Sequence, residues 1–179
     1  MNDQEIIEHI DTALTSLFER DNWLIKQDLS EQSISHKFAE YLQPLFPDYN
    51  IDCEYNGNID RPNGRKKILL VKQHLREKGL LRDAENNDLE KELTERATFP
   101  DIIIHRRGTN EFNLCIIEVK KNTSSVAYDY DYLKLEAYTT ELIGNDLKYQ
   151  LGIFISFIID RNNPSHEKLF YKNGERHNF

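Results

Sequence analysis

The sequence predicts an α/β fold in which a mixed central sheet is flanked by helices. Three observations predict it. Apolar residues recur at helical spacing in the first 46 residues, two strand-like runs joined by a turn occupy residues 99–121, and residues 149–159 form an apolar run of strand length. The predicted order is helix, helix, strand, insertion, hairpin, helix, strand, strand, which is that of a mixed layer and not of a wound parallel sheet.

Two helices are predicted near the N-terminus. The first spans residues 4–20, where apolar residues recur every four positions from Ile6 to Phe18. The second begins at a capping serine, Ser30 or Ser33, and runs to about Phe46. Its apolar stripe also carries Glu31. Both helices are therefore expected to cover the sheet.

The middle of the chain is predicted to be an insertion between core strands. NIDCEY, residues 50–55, is a short strand, and residues 56–98 then turn polar with Gly, Asn and Pro at both ends. Helix-like segments are expected near residues 66–78 and 87–96. The insertion therefore follows the first core strand.

The remaining core elements follow the insertion. FPDIIIHRRGTNEFNLCIIEVKK, residues 99–121, predicts a β-hairpin, because RGTN contains the Gly and Asn that tight turns favour. A helix is expected over 125–143 and an interior strand over 149–159. The tail KLFYKNGER predicts an edge strand ending in an Asn-Gly turn.

The length of 179 residues indicates one domain. Residues 1–29 are predicted to be an accessory N-terminal helix, 56–98 an insertion, about 30–159 the core, and 160–179 a C-terminal extension. The acidic N-terminus and the lack of a long apolar run predict a cytoplasmic protein that does not enter membranes. Cys53 and Cys115 are expected to be buried reduced thiols, with a disulfide or a metal pair as the alternative.

The net charge of −8 argues against strong binding to nucleic acid, but the charge is unevenly distributed. Residues 61–82 carry eight Lys or Arg against one acid, whereas residues 1–31 carry eight acids against two basic residues. One face is therefore a candidate phosphate-binding surface, and a solvated helix is the alternative. The candidate residues are Arg65, Lys66, Lys67 and Lys72, with Arg106 and Arg107 at the hairpin turn.

The hairpin brings two carboxylates together. If its turn centres between Thr109 and Asn110, residues whose numbers sum to 219 lie opposite one another, so Asp101 faces Glu118. Opposed Cβ atoms lie roughly 4.5 to 5.5 Å apart. Like charges at that range repel unless a proton or a cation lies between them. Mg²⁺, which takes carboxylate ligands, is the expected cation, and Mn²⁺ is expected to substitute for it.

An amine lies beside this pair. Side chains alternate along a strand, so Lys120 shares a face with Glu118, whereas Lys121 points to the opposite face and is expected to be a solvated flank. An ammonium group beside a metal ion can orient an attacking water and stabilise developing charge. Glu31 is expected either to lean toward the metal or to favour the helix dipole.

Pro100-Asp101, sixteen residues, then Glu118-Val119-Lys120 resembles the signature of the PD-(D/E)XK, or restriction-endonuclease-like, nuclease superfamily. The resemblance implies an αβββαβ core over residues 30 to 159 and a metal-dependent phosphodiesterase. It implies that Asp101, Glu118 and the Val119 carbonyl ligate Mg²⁺, and that Lys120 positions water. Glu31 takes the place of a first-helix glutamate that some members use.

One feature departs from a subset of that family. These members carry a glutamine and a tyrosine four residues apart in the later helix, where this chain has Lys134 and Tyr138. Lys134 is expected either to contact a phosphate or to be a surface lysine beside a core tyrosine.

The leading functional hypothesis is a Mg²⁺-dependent nuclease, endo- or exonucleolytic, acting on DNA. A catalytically silent module that binds nucleic acid or protein is the alternative, and a hydrolase of small phosphorylated compounds is the third. Cutting both strands requires a homodimer or two binding events. The six histidines show no zinc-site spacing, and no phosphate-binding glycine loop occurs.

Overall fold

The centre of the molecule is a six-stranded sheet. A computed structural model describes residues 1–58, 64–86, 91–141 and 144–179. The strands of the described residues are β1 (Asn50–Cys53), β2 (Lys67–Val71), β3 (Leu93–Ala97), β4 (Ile102–His105), β5 (Cys115–Lys121), β6 (Leu151–Ile158), β7 (Ser165–Lys172) and β8 (Glu175–His177). Strands β2 and β3 form a separate two-stranded sheet, and the other six form the central sheet. Its α-helices are α1 (Asp3–Arg20), α2 (Asn22–Lys26), α3 (Glu31–Leu42), α4 (Lys72–Glu77), α5 (Asp83–Asn86) and α6 (Asp129–Thr139).

The strand order in the main sheet is β1-β4-β5-β6-β7-β8. Strands β5 and β6 are parallel, and the other neighbours in this sheet are antiparallel. The connection from β5 to β6 contains α6, as a parallel crossover requires. The predicted α/β class with a mixed central sheet is thus confirmed.

The predicted hairpin register is also confirmed. Strands β4 and β5 pair Ile102 with Ile117, and Ile104 with Cys115, so the numbers of paired residues sum to 219. Continued by one residue, this register sets Asp101 opposite Glu118. Side chains alternate between the two faces of the sheet, so a slip of one residue would turn buried isoleucines toward the other face. The register is therefore strongly specified.

The two faces of the sheet pack against different helices. Ile117 and Val119 belong to an apolar cluster with α1 and α3, whereas Ile116 and Phe154 belong to a second cluster with α6. Side-chain alternation along β5 therefore sends Glu118 to the α6 face. This face carries the charged residues described below.

Capping residues define the starts of the long helices. The side chain of Asn2 accepts from the Glu5 amide, and Glu5 reciprocates in a capping box at α1. Ser30 caps α3, since its hydroxyl accepts from the Ser33 amide at 3.1 Å. The α3 helix ends at Leu42, earlier than predicted. A 3-10 turn, Gln43–Leu45, follows at Pro44, whose missing N–H cannot continue an α-helix.

The predicted helix over residues 66–78 is wrong for its first half. Residues 67–71 form β2 and only Lys72–Glu77 is helical. Residues 93–97 form β3 instead of a helix, while residues 87–90 lie outside the described residues. Pairing of β2 with β3 buries Ile68 and Leu70, and this tertiary gain overrides local helical preference.

The C-terminal elements agree with the sequence in part. The interior strand predicted over 149–159 is β6, which lies between β5 and β7, but the tail strand β7 is not an edge strand, since it pairs with both β6 and β8. The predicted helix over 125–143 is shorter, Asp129–Thr139, and residues 142–143 lie outside the described residues. The Asn-Gly turn is confirmed: Asn173 and Gly174 have φ of 54° and 81° and join β7 to β8. Two consecutive positive φ angles suit a two-residue hairpin, and Asn and Gly tolerate them.

Cys53 and Cys115 are both free, and Cys115 is fully buried while Cys53 is half-buried. None of the helices formed by the described residues combines the length and apolar character needed to cross a membrane.

Candidate active site

Six charged side chains from four elements of the chain meet on the α6 face of the sheet. We call them the charged cluster. Its members are Glu31, Asp101, Glu118, Lys120, Asp131 and Lys134. The start of α3, the start of β4, the middle of β5 and the first two turns of α6 supply them. The four residues predicted to be catalytic are thus brought together.

Asp101 immediately precedes β4. Its Oδ2 accepts a hydrogen bond from the Val119 amide at 2.7 Å. This bond fixes the carboxyl group against β5, beside Glu118. Burial raises the pKa of Asp101, and the Val119 bond and the two cluster lysines oppose that shift.

Glu118 is the most deeply buried acid of the cluster, with 1% of its surface exposed. Lys134 Nζ lies 2.5 Å from its Oε2. Its Oε1 is buried and has no hydrogen-bond partner among the described residues. Burial raises the pKa of Glu118 to about 8, against the opposing charge of Lys134. A buried carboxylate oxygen without a partner is costly, and a bound cation would satisfy it.

Lys120 lies between two acids. Its Nζ is 3.3 Å from Glu31 Oε2 and 3.5 Å from Asp131 Oδ2. Burial disfavours its charge, but Asp131 and Glu31 more than compensate, so the pKa of Lys120 is raised. Lys120 is therefore a fixed cation with a defined position.

Glu31 joins α3 to β5. Its Oε1 accepts from the Lys121 amide at 3.0 Å, while its Oε2 holds Lys120. Because Glu31 is also in the first turn of α3, the position favours the helix dipole as well. Its placement agrees with the expected helix-dipole interaction, while the expectation that Glu31 leans toward a metal stays a prediction.

Lys121 points to the opposite face from Lys120, as predicted, but the expectation of a solvated flank is wrong. Its Nζ lies 2.7 Å from Asp28 Oδ1 and 2.8 Å from the Leu29 carbonyl oxygen. These contacts close the loop before α3 onto the end of β5. The ammonium group of Lys121 is thus paired with Asp28, outside the charged cluster.

Lys134 is a buried member of the cluster and not a surface lysine. Its Nζ lies 2.7 Å from Asp131 Oδ1 in addition to the Glu118 contact, and 9% of the residue is exposed. Tyr138, one turn later, is fully buried, as expected for a core tyrosine. An ammonium group held by two carboxylates is already neutralised, so a phosphate contact by Lys134 has little support.

Asp131 was missed as a site residue by the sequence reasoning. Acids in the first turn of a helix are usually explained by the dipole, and Asp129 shares that position. Asp131 is 4% exposed, however, and contacts both cluster lysines. The available signal was its spacing of three from Lys134, which places the two side chains on one helix face.

The basic residues of the insertion that the structure describes do not form one surface, and Arg61 lies outside the described residues. Lys66 and Lys72 are 1% and 7% exposed, so burial contradicts their predicted contacts with phosphate. Lys67 pairs with Glu95 at 2.5 Å. Arg65 is exposed, and its Nη1 donates to Asn56 Oδ1 at 2.9 Å. Only part of the expected basic face is therefore accessible.

Arg106 and Arg107 follow the opposite end of β4 from Asp101. Arg107 Nε donates to Asp52 Oδ2 at 2.8 Å, and Arg106 Nε donates to the Asp48 carbonyl oxygen at 3.1 Å. Four strand residues separate these arginines from Asp101, a distance of roughly 15 Å. The structure thus does not bring them into the charged cluster.

The buried Lys66 should make stability depend on pH. Its Nζ donates to the Gly57 carbonyl oxygen at 2.5 Å and lies 4.7 Å from the Tyr55 ring centroid. Burial lowers the pKa of Lys66 to about 8. Since an unfolded lysine titrates near about 10.4, the unfolded state binds more protons between these values, and stability rises with pH in that window.

We therefore expect the unfolding free energy of the wild type to gain roughly 2 kcal/mol relative to Lys66→Met between pH 8 and 10. Urea denaturation of both proteins at several pH values measures the difference, in which titration of other groups cancels. Parallel stability curves for the two proteins would show that Lys66 remains charged when folded.

The donor set of the cluster suits a hard divalent cation. Asp101 and Glu118 offer carboxylate oxygens, which Mg²⁺ prefers, and Glu118 Oε1 has no partner in the described part of the chain. Within the same described ranges, no three His, Cys, Asp or Glu side chains are grouped as a metal site, and lysines lie between the acids of the cluster. Two facing carboxylates are the smaller set that the hairpin register predicts, and the family resemblance adds the Val119 carbonyl.

Comparisons with protein families, curated proteins and solved structures find no match to this chain.

Proposed function

We propose that this protein is a Mg²⁺-dependent nuclease that hydrolyses phosphodiester bonds in DNA. One observation carries the proposal. Asp101, Glu118 and Lys120 of the motif converge with Glu31 on one face of the sheet: Lys120 Nζ lies 3.3 Å from Glu31 Oε2, and Asp101 and Glu31 each accept from a backbone amide of β5. A structural ion-pair network alone has no need of a buried carboxylate oxygen without a partner, and Glu118 has one.

The topology supports a restriction-endonuclease-like core. The elements α3, β1, β4, β5, α6 and β6 follow one another in the order αβββαβ, with the insertion β2–β3 after β1. The motif residues fall at the start of β4 and in β5. The order of the elements therefore supports the same family as the motif, because the motif residues lie on the second and third strands of this core.

Each residue has a proposed role. Asp101, Glu118 and the Val119 carbonyl would hold Mg²⁺, which when bound would act as a Lewis acid and neutralise charge on the phosphoryl group. Lys120, fixed by Glu31 and Asp131, would orient the attacking water and stabilise negative charge. Asp101 also holds the Val119 amide, so the two ligand-bearing strands keep their spacing.

Glu31 is proposed as a positioning residue, and this role is testable. In Glu31→Gln the amide oxygen can still accept from the Lys121 amide, but the charge that holds Lys120 is lost. We expect DNA cleavage to fall roughly 10- to 100-fold, as when the supporting partner of a ligand is removed. Glu40→Gln, which changes an exposed acid of the same helix, should cleave at the wild-type rate. Cleavage by Glu31→Gln at the wild-type rate would contradict the positioning role of Glu31.

DNA is the proposed substrate class because the motif resembles that of DNA-cleaving enzymes and because exposed arginines remain on the insertion. They are Arg65, Arg76 and Arg82. Given the net charge of −8, binding should be weak and strongly salt-dependent.

A silent binding module is the second candidate, and the Lys134 contact favours it. In this reading the lysine that pairs with Glu118 is a permanent structural counter-ion. Calorimetry with Mn²⁺ separates the two candidates. The enzyme requires binding that depends on Asp101 and Glu118, whereas the silent module binds DNA with no metal dependence.

The direct test uses purified protein with supercoiled, linear and single-stranded DNA, each with Mg²⁺ and with EDTA. We expect cleavage with Mg²⁺ and none with EDTA. Conversion of supercoiled DNA to the nicked form indicates a monomer, and direct linearisation indicates a homodimer or two binding events. Hydrolysis of a small phosphodiester with no cleavage of DNA would assign the site to small phosphorylated compounds. Intact substrates in every arm would contradict the proposal.

A further inference from the structure

The Lys134 ammonium group occupies a cation position between two acids. It lies 2.5 Å from Glu118 Oε2 and 2.7 Å from Asp131 Oδ1, and it projects from α6 onto β5. Only 9% of the residue is exposed. Both contacts are as short as charge-assisted hydrogen bonds, so the ammonium group is held in place.

Charge balance limits what else the cluster can bind. Its four carboxyl groups and two ammonium groups carry a net charge of −2 when all are ionised. One divalent ion neutralises that charge. A second divalent ion would leave an excess of +2 in a largely buried site, which is strongly unfavourable. The nearby Lys121 does not alter the balance, because it pairs with Asp28 on the other face.

The oxygens of Glu118 divide the cluster into two cation positions. Oε2 faces Lys134, while Oε1 is buried without a partner among the residues described. Asp101 lies opposite Glu118 when the β4–β5 register is continued by one residue, whereas Asp131 contacts the Lys134 ammonium group. Lys134 thus lies between Glu118 and Asp131, and the Glu118 oxygen without a partner remains for a cation that Asp101 would share.

We propose that Lys134 takes the place of a second divalent ion, so that this site binds one divalent cation on the Asp101 side and no more. This proposal rests on the proposed metal-dependent function. It adds that one divalent ion binds per chain and that Lys134 sets this number. Lys134 is a positioning residue: it holds Glu118 and Asp131 and excludes a second ion from their shared position.

The test is calorimetric titration of the DNA-free protein with Mn²⁺. Wild type should bind one Mn²⁺ per chain. Lys134→Gln frees Asp131 and Glu118 Oε2 and changes the net charge of the cluster from −2 to −3, so it should bind two Mn²⁺ per chain. Lys134→Arg keeps the cation and should bind one. Electron paramagnetic resonance of Mn²⁺ should detect spin coupling in Lys134→Gln only.

Two further variants make the test sharp. Lys121→Gln, which removes the neighbouring lysine outside the cluster, should bind one Mn²⁺ like wild type. The double variant Lys134→Gln/Asp131→Asn returns the cluster to −2 and should bind one ion again. If Lys134→Gln is unstable without metal, Mn²⁺ should raise its melting temperature more than that of wild type, and an equal or smaller rise overturns the proposal.

A stoichiometry of one in Lys134→Gln also overturns the proposal, as does a wild type that binds two Mn²⁺ or none. The nuclease proposal fails separately: a wild type that binds one Mn²⁺ but leaves every nucleic acid intact contradicts the activity and preserves the role of Lys134.

Discussion

Asp101→Asn should reduce Mg²⁺-dependent DNA cleavage by roughly 10³-fold or more, because a metal ion supplies several kcal/mol of transition-state stabilisation and each 1.36 kcal/mol is a factor of about ten. Asparagine retains the shape of the side chain, and its amide oxygen can still accept from the Val119 amide. Mn²⁺ affinity measured by calorimetry should fall together with the cleavage rate.

The fold should survive this change. Burial raises the pKa of Asp101 above its unfolded value, so the ionised group is unfavourable in the folded protein at neutral pH. Its removal should therefore leave the melting temperature equal or higher. Asp129→Asn is the matched control, since Asp129 pairs with the exposed Lys78 and lies outside the charged cluster. Equal cleavage by Asp101→Asn and wild type would exclude Asp101 as a metal ligand.

Lys120→Met should reduce cleavage roughly 10²- to 10³-fold, which is the usual effect of removing one group that stabilises transition-state charge. Mn²⁺ binding should persist or strengthen, because the change removes a positive charge 3.3 Å from Glu31 and 3.5 Å from Asp131. If cleavage falls while Mn²⁺ binding is retained, Lys120 acts on the attacking water and is not needed to form the metal site.

Lys121→Met is the control for that experiment. Lys121 is the adjacent residue, points to the opposite face and pairs with Asp28. Its backbone amide, which donates to Glu31, is unaffected by the substitution. Cleavage should therefore remain at the wild-type rate. A similar loss in both lysine variants would indicate a general effect of charge or stability and would contradict the role assigned to Lys120.

Local sequence patterns are sufficient for the hairpin and its register. The alternation of β5 and the position of the turn place Asp101 opposite Glu118, and the observed pairs sum to 219 as predicted. Such a register depends on contacts between residues close in sequence, so it can be predicted from the sequence. The insertion depends on pairing between β2 and β3, whose partners are more than 20 residues apart, and helical periodicity was misleading there.

The sequence by itself determined the α/β class, the facing carboxylates and the position of Lys120 on their side of the sheet. Only the tertiary structure decided that Asp131 and Lys134 belong to the same cluster, and that Lys66 and Lys72 are buried. The physical reason is that a side chain's charge partners and burial depend on which elements pack together. The contact between α6 and β5 forms only when the helix packs on the sheet, and no pattern of neighbouring residues predicts that packing.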